Sequence, residues 1–265
     1  MGTKPLDRHV PLTGASNFRD FGGYNGFSGT VKRGLLFRSD RLSRLTSEDF
    51  DILRPLDLRL VVDLRRTSER NQEPTRWLGD GEPEHLHAPV FDDHNTPNAL
   101  LRMAENPQTR TAEVAAETMR EVYRHLVSAP ASLTQFGGVL QRLAFEQATP
   151  VVVHCSGGKD RTGVLAALLL SALGVAWEDI VDDYLLTQQY YDARELLAER
   201  SSQILETHGV EMDEAALAPV FAVHPSYLEA ARQEAETRHG GVLGLLDAMG
   251  VDDAARVRLR DRYLA

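Results

Sequence analysis

Val151-Val152-Val153-His154-Cys155-Ser156-Gly157-Gly158-Lys159-Asp160-Arg161-Thr162-Gly163 is the stretch from which the rest of the chain is best read. Pro150 and the β-branched run after it predict a buried strand that ends at His154. Thr162–Leu173 predicts an apolar helix stopped by Gly174. A tight loop that enters a helix turns its backbone N–H groups toward one centre, where the helix dipole is also positive, and so forms an anion-binding nest. Gly157 and Gly158 permit the turn. Cys155 stands at the base of this nest, where thiolate is favoured. A free thiol of pKa ~8.5 is only about 3% ionised at pH 7, and a helix N-terminus can bring it to ~3.5–7.5. Arg161 offers two parallel N–H donors to the equatorial oxygens of a phosphoryl group. Ser156, Gly157, Gly158, Lys159 and Thr162 complete the candidate binding residues. A cysteine at a strand end is more often simple packing, and the five-residue spacing to an arginine is weak on its own. Strand, glycine pair, lysine, Thr-Gly and helix together make the functional reading. A nucleotide-binding loop needs Gly-Lys-Ser/Thr, whereas Lys159 is followed by Asp160. The reading requires a reachable sulfur, and a thiol sealed in the interior would overturn it.

Outward from this loop, Leu35–Arg38, Leu58–Leu64 and His85–Val90 read as strands. Thr46 is a candidate N-cap, and helical patterns cover about 111–128 and 132–147. From Trp177 the pattern is helical almost to the end, with Leu196, Leu197 and Ile204 at helical spacing. Pro225 opens a helix, and Leu243–Met249 and Ala254–Leu264 follow. This predicts one α/β domain over 1–265, with a core of about 1–175 and a helical C-terminal extension of about 176–265 that is a candidate lid.

The 265 residues (29.4 kDa) are 42% hydrophobic and 26% charged, ordinary for a globular chain. The strongest apolar run, 164–170, is too short to span a membrane. No secretory signal pattern opens the chain, which predicts a cytoplasmic protein, although export without such a signal would leave no trace here. One cysteine excludes an internal disulfide and leaves a structural zinc site without thiolates, so neither metal nor cofactor is expected. The net charge of −10 lies wholly in 176–265, with 18 acidic and 8 basic residues, while 1–175 hold 21 of each. Such a balance argues against a nucleic-acid partner, and it leaves any anionic substrate to a local electropositive pocket.

His154-Cys155-x5-Arg161-Thr162-Gly163 resembles the signature of the protein tyrosine phosphatase superfamily. Lys159-Asp160, the segment Asn17-Phe18-Arg19-Asp20-x-Gly22-Gly23-Tyr24, Arg38-Ser39, Asp63-Leu64-Arg65 and Asp182–Leu186 narrow the resemblance. It is to the bacterial tyrosine (dual-specificity) phosphatase family typified by the mycobacterial secreted phosphatase B. The resemblance implies a central, mostly parallel sheet flanked by helices and metal-free hydrolysis through a cysteinyl-phosphate. It also implies substrates among phosphotyrosine, phosphoserine/threonine and phosphoinositides, and hence phosphate or sulfate in the site.

A thiolate mechanism needs a proton donor for the leaving oxygen. No aspartate lies between Asp93 and Asp160, so Asp160 is the first candidate, a role the resemblance also suggests. Asp63, at the end of a strand, is the runner-up and a candidate substrate contact, although beside Leu64-Arg65-Arg66 it also reads as an ion-pairing brace. Asp92 and Asp93 come after it. Lys159 is a candidate for a second anionic group, Thr162 for a hydroxyl bond to Cys155, and His154 for bracing the loop. Tyr24 and Tyr123 are candidates for a ring-accepting cleft, with buried packing as the alternative. Asn17, Arg19 and Asp20 are expected to knit the N-terminal segment to the loop. The rival functions are a phosphoinositide phosphatase, a non-catalytic phospho-ligand module and, more distantly, an arsenate reductase or sulfur transferase.

Overall fold

In the computed structural model the described residues are 8–78, 81–91, 99–191, 197–198, 201–202, 205–207, 209–211 and 213–265. Alternation along three short strands sets the layering. In β2 (Leu36–Ser39), β3 (Leu60–Asp63) and β5 (Val151–His154), Leu36, Leu60, Val62, Val151 and Val153 point into one buried cluster. Phe37, Val61 and Val152 point into the other. Side chains on a strand alternate faces, so apolar residues at consecutive positions require cover on both sides. With β1 (Arg19–Asp20) and β4 (Glu84–His87) the sheet order is β1-β2-β5-β3-β4, and only the β1–β2 pair is antiparallel. The parallel register aligns Ser39, His154 and Asp63 at the carboxyl ends of neighbouring strands. Ligand sites of open parallel sheets lie beyond this edge.

One face carries Phe18, Leu42, Phe50 and Leu53, contributed by the N-terminal segment and α1 (Ser47–Leu53). Thr46 caps α1 by accepting from the Asp49 N–H, as its sequence predicts. α2 (Thr67–Gln72) follows β3, and α3 (Ala99–Glu105) precedes α4. On the other face lie α4 (Ala112–Leu126), α5 (Pro130–Phe145) and α6 (Asp160–Ala172). Residues 161–170 of α6 are all buried, because the helix runs between the sheet and the C-terminal helices. It begins two residues before the expected Thr162, which puts Asp160 and Arg161 into its first turn. The other strands and helices differ from expectation by a few residues at their ends, where propensity is weak and pairing partners set the limit.

The C-terminal third is α7 (Trp177–Leu185), α8 (Thr187–Tyr190), α9 (Glu214–Phe221), α10 (Pro225–His239), α11 (Val242–Ala248) and α12 (Asp253–Tyr263). Tyr227, Leu228, Leu245, Leu246, Leu259 and Tyr263 belong to the same buried cluster as Val151 and Val153. The terminal Ala265 exchanges backbone hydrogen bonds with Thr30. α10–α12 are therefore built into the core. Of the helical spacing expected at Leu196, Leu197 and Ile204, the first and last positions lie outside the described residues.

Leu259→Ala, at a side chain with no exposure, is expected to destabilise the protein by about 2–5 kcal/mol. Urea unfolding measures this, and a loss below about 0.5 kcal/mol would mean that α12 is dispensable to the core.

Candidate active site

The loop between β5 and α6 owes its shape to what holds its carbonyls. Ser156 O accepts from the Arg41 N–H at 3.2 Å. Asn17 Nδ2 donates to Gly157 O (3.2 Å) and Gly158 O (3.0 Å), and Arg38 donates to Gly158 O at 2.9 Å. In a trans peptide the N–H points opposite to the C=O. Three carbonyls drawn to the outside thus turn the N–H groups of Gly157, Gly158 and Lys159 to the inner side, beside the free N–H groups of the first turn of α6. Of the glycine pair, Gly158 alone has a left-handed φ, +64°. A Cβ there would lie 2.3 Å from Ser39 O, so the close approach also requires glycine.

The anchors are anchored in turn. Arg38, which has no exposure, donates to Asp183 of α7 at 2.7 Å. Arg19 donates to the Asp183 carbonyl at 2.9 Å, and a second hydrogen bond links it to Asn17 Oδ1. Burial and the neighbouring Arg38 bring the Arg19 guanidinium down to about 9. Asn17 and Arg19 thus join the N-terminal segment to the loop, as expected. Asp20 does not; it accepts from the Gly22 and Gly34 N–H groups (2.8 Å each) instead.

Cys155 is 2% exposed and contributes to the main buried cluster, so the reachable sulfur that the sequence reading requires is obtained only if covering side chains move. Tyr191 leans over the loop, its hydroxyl 3.2 Å from where a Gly157 Cβ would stand. Beside Ser156 and Tyr191 is a polar cleft of about 250 Å³, lined also by Ser16, Asp40, Arg41 and Arg44. Burial raises the Asp40 carboxyl to about 8, against a hydrogen bond from the Ser16 N–H.

Arg161 is gripped by Glu69 of α2, with donor–acceptor distances of 2.6 and 3.0 Å to the two carboxylate oxygens. Ser156 Oγ also donates to Glu69 (2.5 Å), as does the Arg66 N–H (2.8 Å). Burial would raise the Glu69 carboxyl, but the charge and hydrogen bonds of Arg161 prevail and hold it well below the usual carboxylate range. Sequence reasoning missed Glu69. No sequence pattern announced it, because Arg66 lacks the Ser or Thr acceptor of a capping box and only the Arg66 N–H to Glu69 half is made.

Asp160 accepts from the Tyr123 phenol at 2.8 Å, with the Lys159 ammonium 3.1 Å away. Lys159 was expected to face a second anionic group. Its ammonium instead donates to Val220 O (2.7 Å) and Ala222 O (3.4 Å), the carbonyl end of α9. Asp63 is held by Arg65 through contacts of 2.9 and 2.7 Å and accepts its backbone N–H at 3.0 Å. Burial opposes ionisation there, yet the His154 and Arg65 charges bring the Asp63 carboxyl to about 2. The brace expected of Asp63 is thus present, and no proton is available from it near neutrality. Thr162 Oγ1 is buried without a hydrogen-bond partner, so the expected bond to Cys155 is not made. His154 Nδ1 lies 3.3 Å from the Cys155 carbonyl. Tyr24 stacks on Arg8 and lines no cleft described here. Asp92 and Asp93 lie outside the described residues.

The model of the tyrosine phosphatase family matches residues 10–265. A Cupriavidus necator protein provisionally assigned as a tyrosine-protein phosphatase is 33% identical over 260 residues, covering 94% of this chain and 86% of its own. The triple specificity protein phosphatase PtpB of Mycobacterium tuberculosis is 31% identical over 271 residues, covering 94% of this chain and 96% of its own. A tyrosine-protein phosphatase of Nostoc commune is 28% identical over 229 residues, covering 85% of this chain and 72% of its own.

Burial brings the His154 imidazole from 6.5 to about 4, with Asp63 opposing. A lowered imidazole pKa means that the folded state prefers the neutral ring. Its contribution is complete above pH 6.5 and is lost as the pH falls toward 4. Unfolding free energy is expected to drop by about 3 kcal/mol from this group over that interval. Urea titrations at pH 6.5 and 4 check it, and an unchanged midpoint would contradict the buried neutral ring.

Proposed function

Because the chain belongs to the tyrosine phosphatase family, we propose that it hydrolyses phosphotyrosine, and phosphoserine/threonine as well, through a phosphocysteine formed on Cys155. The family acts on phosphomonoesters, so the reaction class follows from membership; the mechanism and residue roles are our reading. One observation carries it: three loop carbonyls drawn outward beneath the N-terminus of α6, with Arg161 in the first turn. The resulting ring of N–H groups suits three equatorial oxygens whose charge grows in the transition state.

In the first step the Cys155 thiolate attacks phosphorus in line and the bond to the leaving oxygen breaks. Asp160 gives that oxygen its proton. In the second step water attacks phosphorus, Asp160 takes a proton from it, and the sulfur–phosphorus bond breaks to release phosphate and thiolate. Arg161 and the loop N–H groups hold the oxygens throughout, while Glu69 sets the plane of the guanidinium. Access to the buried thiol requires Tyr191, which lies over Gly157, to yield when substrate enters. No step needs a metal ion.

The triple specificity for which the M. tuberculosis relative is named supports a range wider than phosphotyrosine. A phosphoinositide preference would rest on Lys159, whose ammonium is engaged by α9 and Asp160, and nothing else here favours it.

On a phosphotyrosyl peptide with chelator present, Cys155→Ser is expected to abolish turnover while keeping binding of a phosphate analogue. Residual hydrolysis above about one-thousandth would refute the nucleophile. Asp160→Asn is expected to slow phenyl phosphate by about 10²–10⁴ and p-nitrophenyl phosphate much less. Asp40→Asn is the control, because burial raises its carboxyl and it lines the cleft. If Asp40→Asn shows the selective loss instead, Asp160 is not the acid. Parallel rates on a soluble inositol phospholipid decide the substrate class.

A further inference from the structure

Three tyrosines from three helices converge behind the phosphate loop. Tyr123 of α4, Tyr184 of α7 and Tyr227 of α10 are 0, 1 and 2% exposed. The Tyr123 ring centroid is 6.1 Å from that of Tyr184, nearly edge-on, and 5.7 Å from that of Tyr227. Packing alone would be served by phenylalanine. A buried hydroxyl carries a desolvation cost unless it is hydrogen-bonded, so what the hydroxyls touch is informative. Tyr227 donates to Pro219 O within α9. The other two form a chain. Tyr123 and Tyr184 are 2.7 Å apart at their oxygens, and Tyr123 reaches Asp160 Oδ1 at 2.8 Å.

Once Tyr123 donates to Asp160, the direction of the rest of the chain follows. An ionised carboxylate only accepts, and a phenol has one proton to give. Tyr123 must donate to Asp160, so it can only accept from Tyr184. The Tyr184 oxygen accepts in turn from the His224 N–H, just before α10. Every proton along the chain points toward Asp160.

We propose that Tyr123, oriented by Tyr184, is a positioning residue that decides which oxygen of Asp160 transfers the proton. This rests on the reading of Asp160 as the acid. With Oδ1 accepting from the Tyr123 hydroxyl, the transferable proton of the neutral carboxyl is carried on Oδ2. The Lys159 ammonium, 3.1 Å from both oxygens, does not distinguish them; Tyr123 does. In the first step the Oδ2–H bond breaks as the leaving oxygen gains its proton, and in the second the same Oδ2 receives a proton from water. Tyr123 keeps its own proton throughout, in keeping with a phenol that burial and the Asp160 charge raise well above its ordinary pKa. Hydrogen-bond partners that orient a working side chain matter by about one or two orders of magnitude where metal ligands are concerned, and the same scale is expected here.

The test compares kcat and KM on phenyl phosphate and p-nitrophenyl phosphate for Tyr123→Phe, Tyr184→Phe, Asp160→Asn and Tyr123→Phe combined with Asp160→Asn. Tyr123→Phe is expected to lower kcat about tenfold on phenyl phosphate and less than about threefold on p-nitrophenyl phosphate, with KM unchanged. Tyr184→Phe should act in the same direction but less. Adding Tyr123→Phe to Asp160→Asn should bring no further selectivity, since both act on one proton. If Asp160→Asn shows no leaving-group selectivity, the acid assignment fails and this proposal with it. If Asp160→Asn is selective but neither tyrosine variant is, the acid stands and the positioning role is overturned. An equal loss on both substrates would likewise reduce Tyr123 to packing. Should Tyr123→Phe fail to fold, Tyr184→Phe decides by the same criterion.

Discussion

The site depends on where three backbone carbonyls point. A loop of this length has no internal reason to turn its N–H groups inward, since each carbonyl also needs a partner. Asn17 and Arg38 supply those partners from outside, together with the Arg41 N–H. Once the oxygens are bound there, planarity of the peptide leaves the opposite face to the donors. The anion nest is thus imposed by two N-terminal side chains, and the glycine at 158 permits it.

This arrangement requires buried charge. Arg19, Arg38 and Asp183 are essentially without exposure, and a lone ion in such a place would be expensive. The cluster answers by pairing: Arg38 on the Asp183 carboxylate, Arg19 on its carbonyl, with Asn17 between Arg19 and the loop. Because Asp183 belongs to α7, the first helix after the signature segment is tied into the machinery. Lys159 repeats the pattern with α9, its ammonium on the carbonyl end of that helix. The C-terminal third, acidic and helical, is bound to the site by Arg19 and Arg38 of the N-terminal strands and by Lys159 of the loop.

Carboxylates near the loop separate by environment. Asp63 and Glu69 face arginines and stay ionised, whereas Asp40 is buried with little compensation and retains its proton near neutrality. Asp160 differs from these in its partners, the Tyr123 phenol and the Lys159 ammonium in place of an arginine. Such division of labour among like groups is set by local partners rather than by residue type.

The strand and helix around Cys155 were legible because Pro150–His154 and Val164–Leu170 are continuous apolar runs whose burial is a property of the segment. So were the Cys155–Arg161 spacing and the Thr46 cap, whereas the parallel sheet was implied by the resemblance. Where α6 begins was less legible, since a helix start depends on what receives its first N–H groups. Glu69 on Arg161, Lys159 on α9, the unpartnered Thr162 hydroxyl and the Tyr184–Tyr123–Asp160 chain join residues distant in sequence, and no periodicity announces them. Composition and spacing state which groups are present and which run is buried. The partner of each polar group is chosen only when the chain closes on itself, because a hydrogen bond is short and directional and its other half lies in a different element.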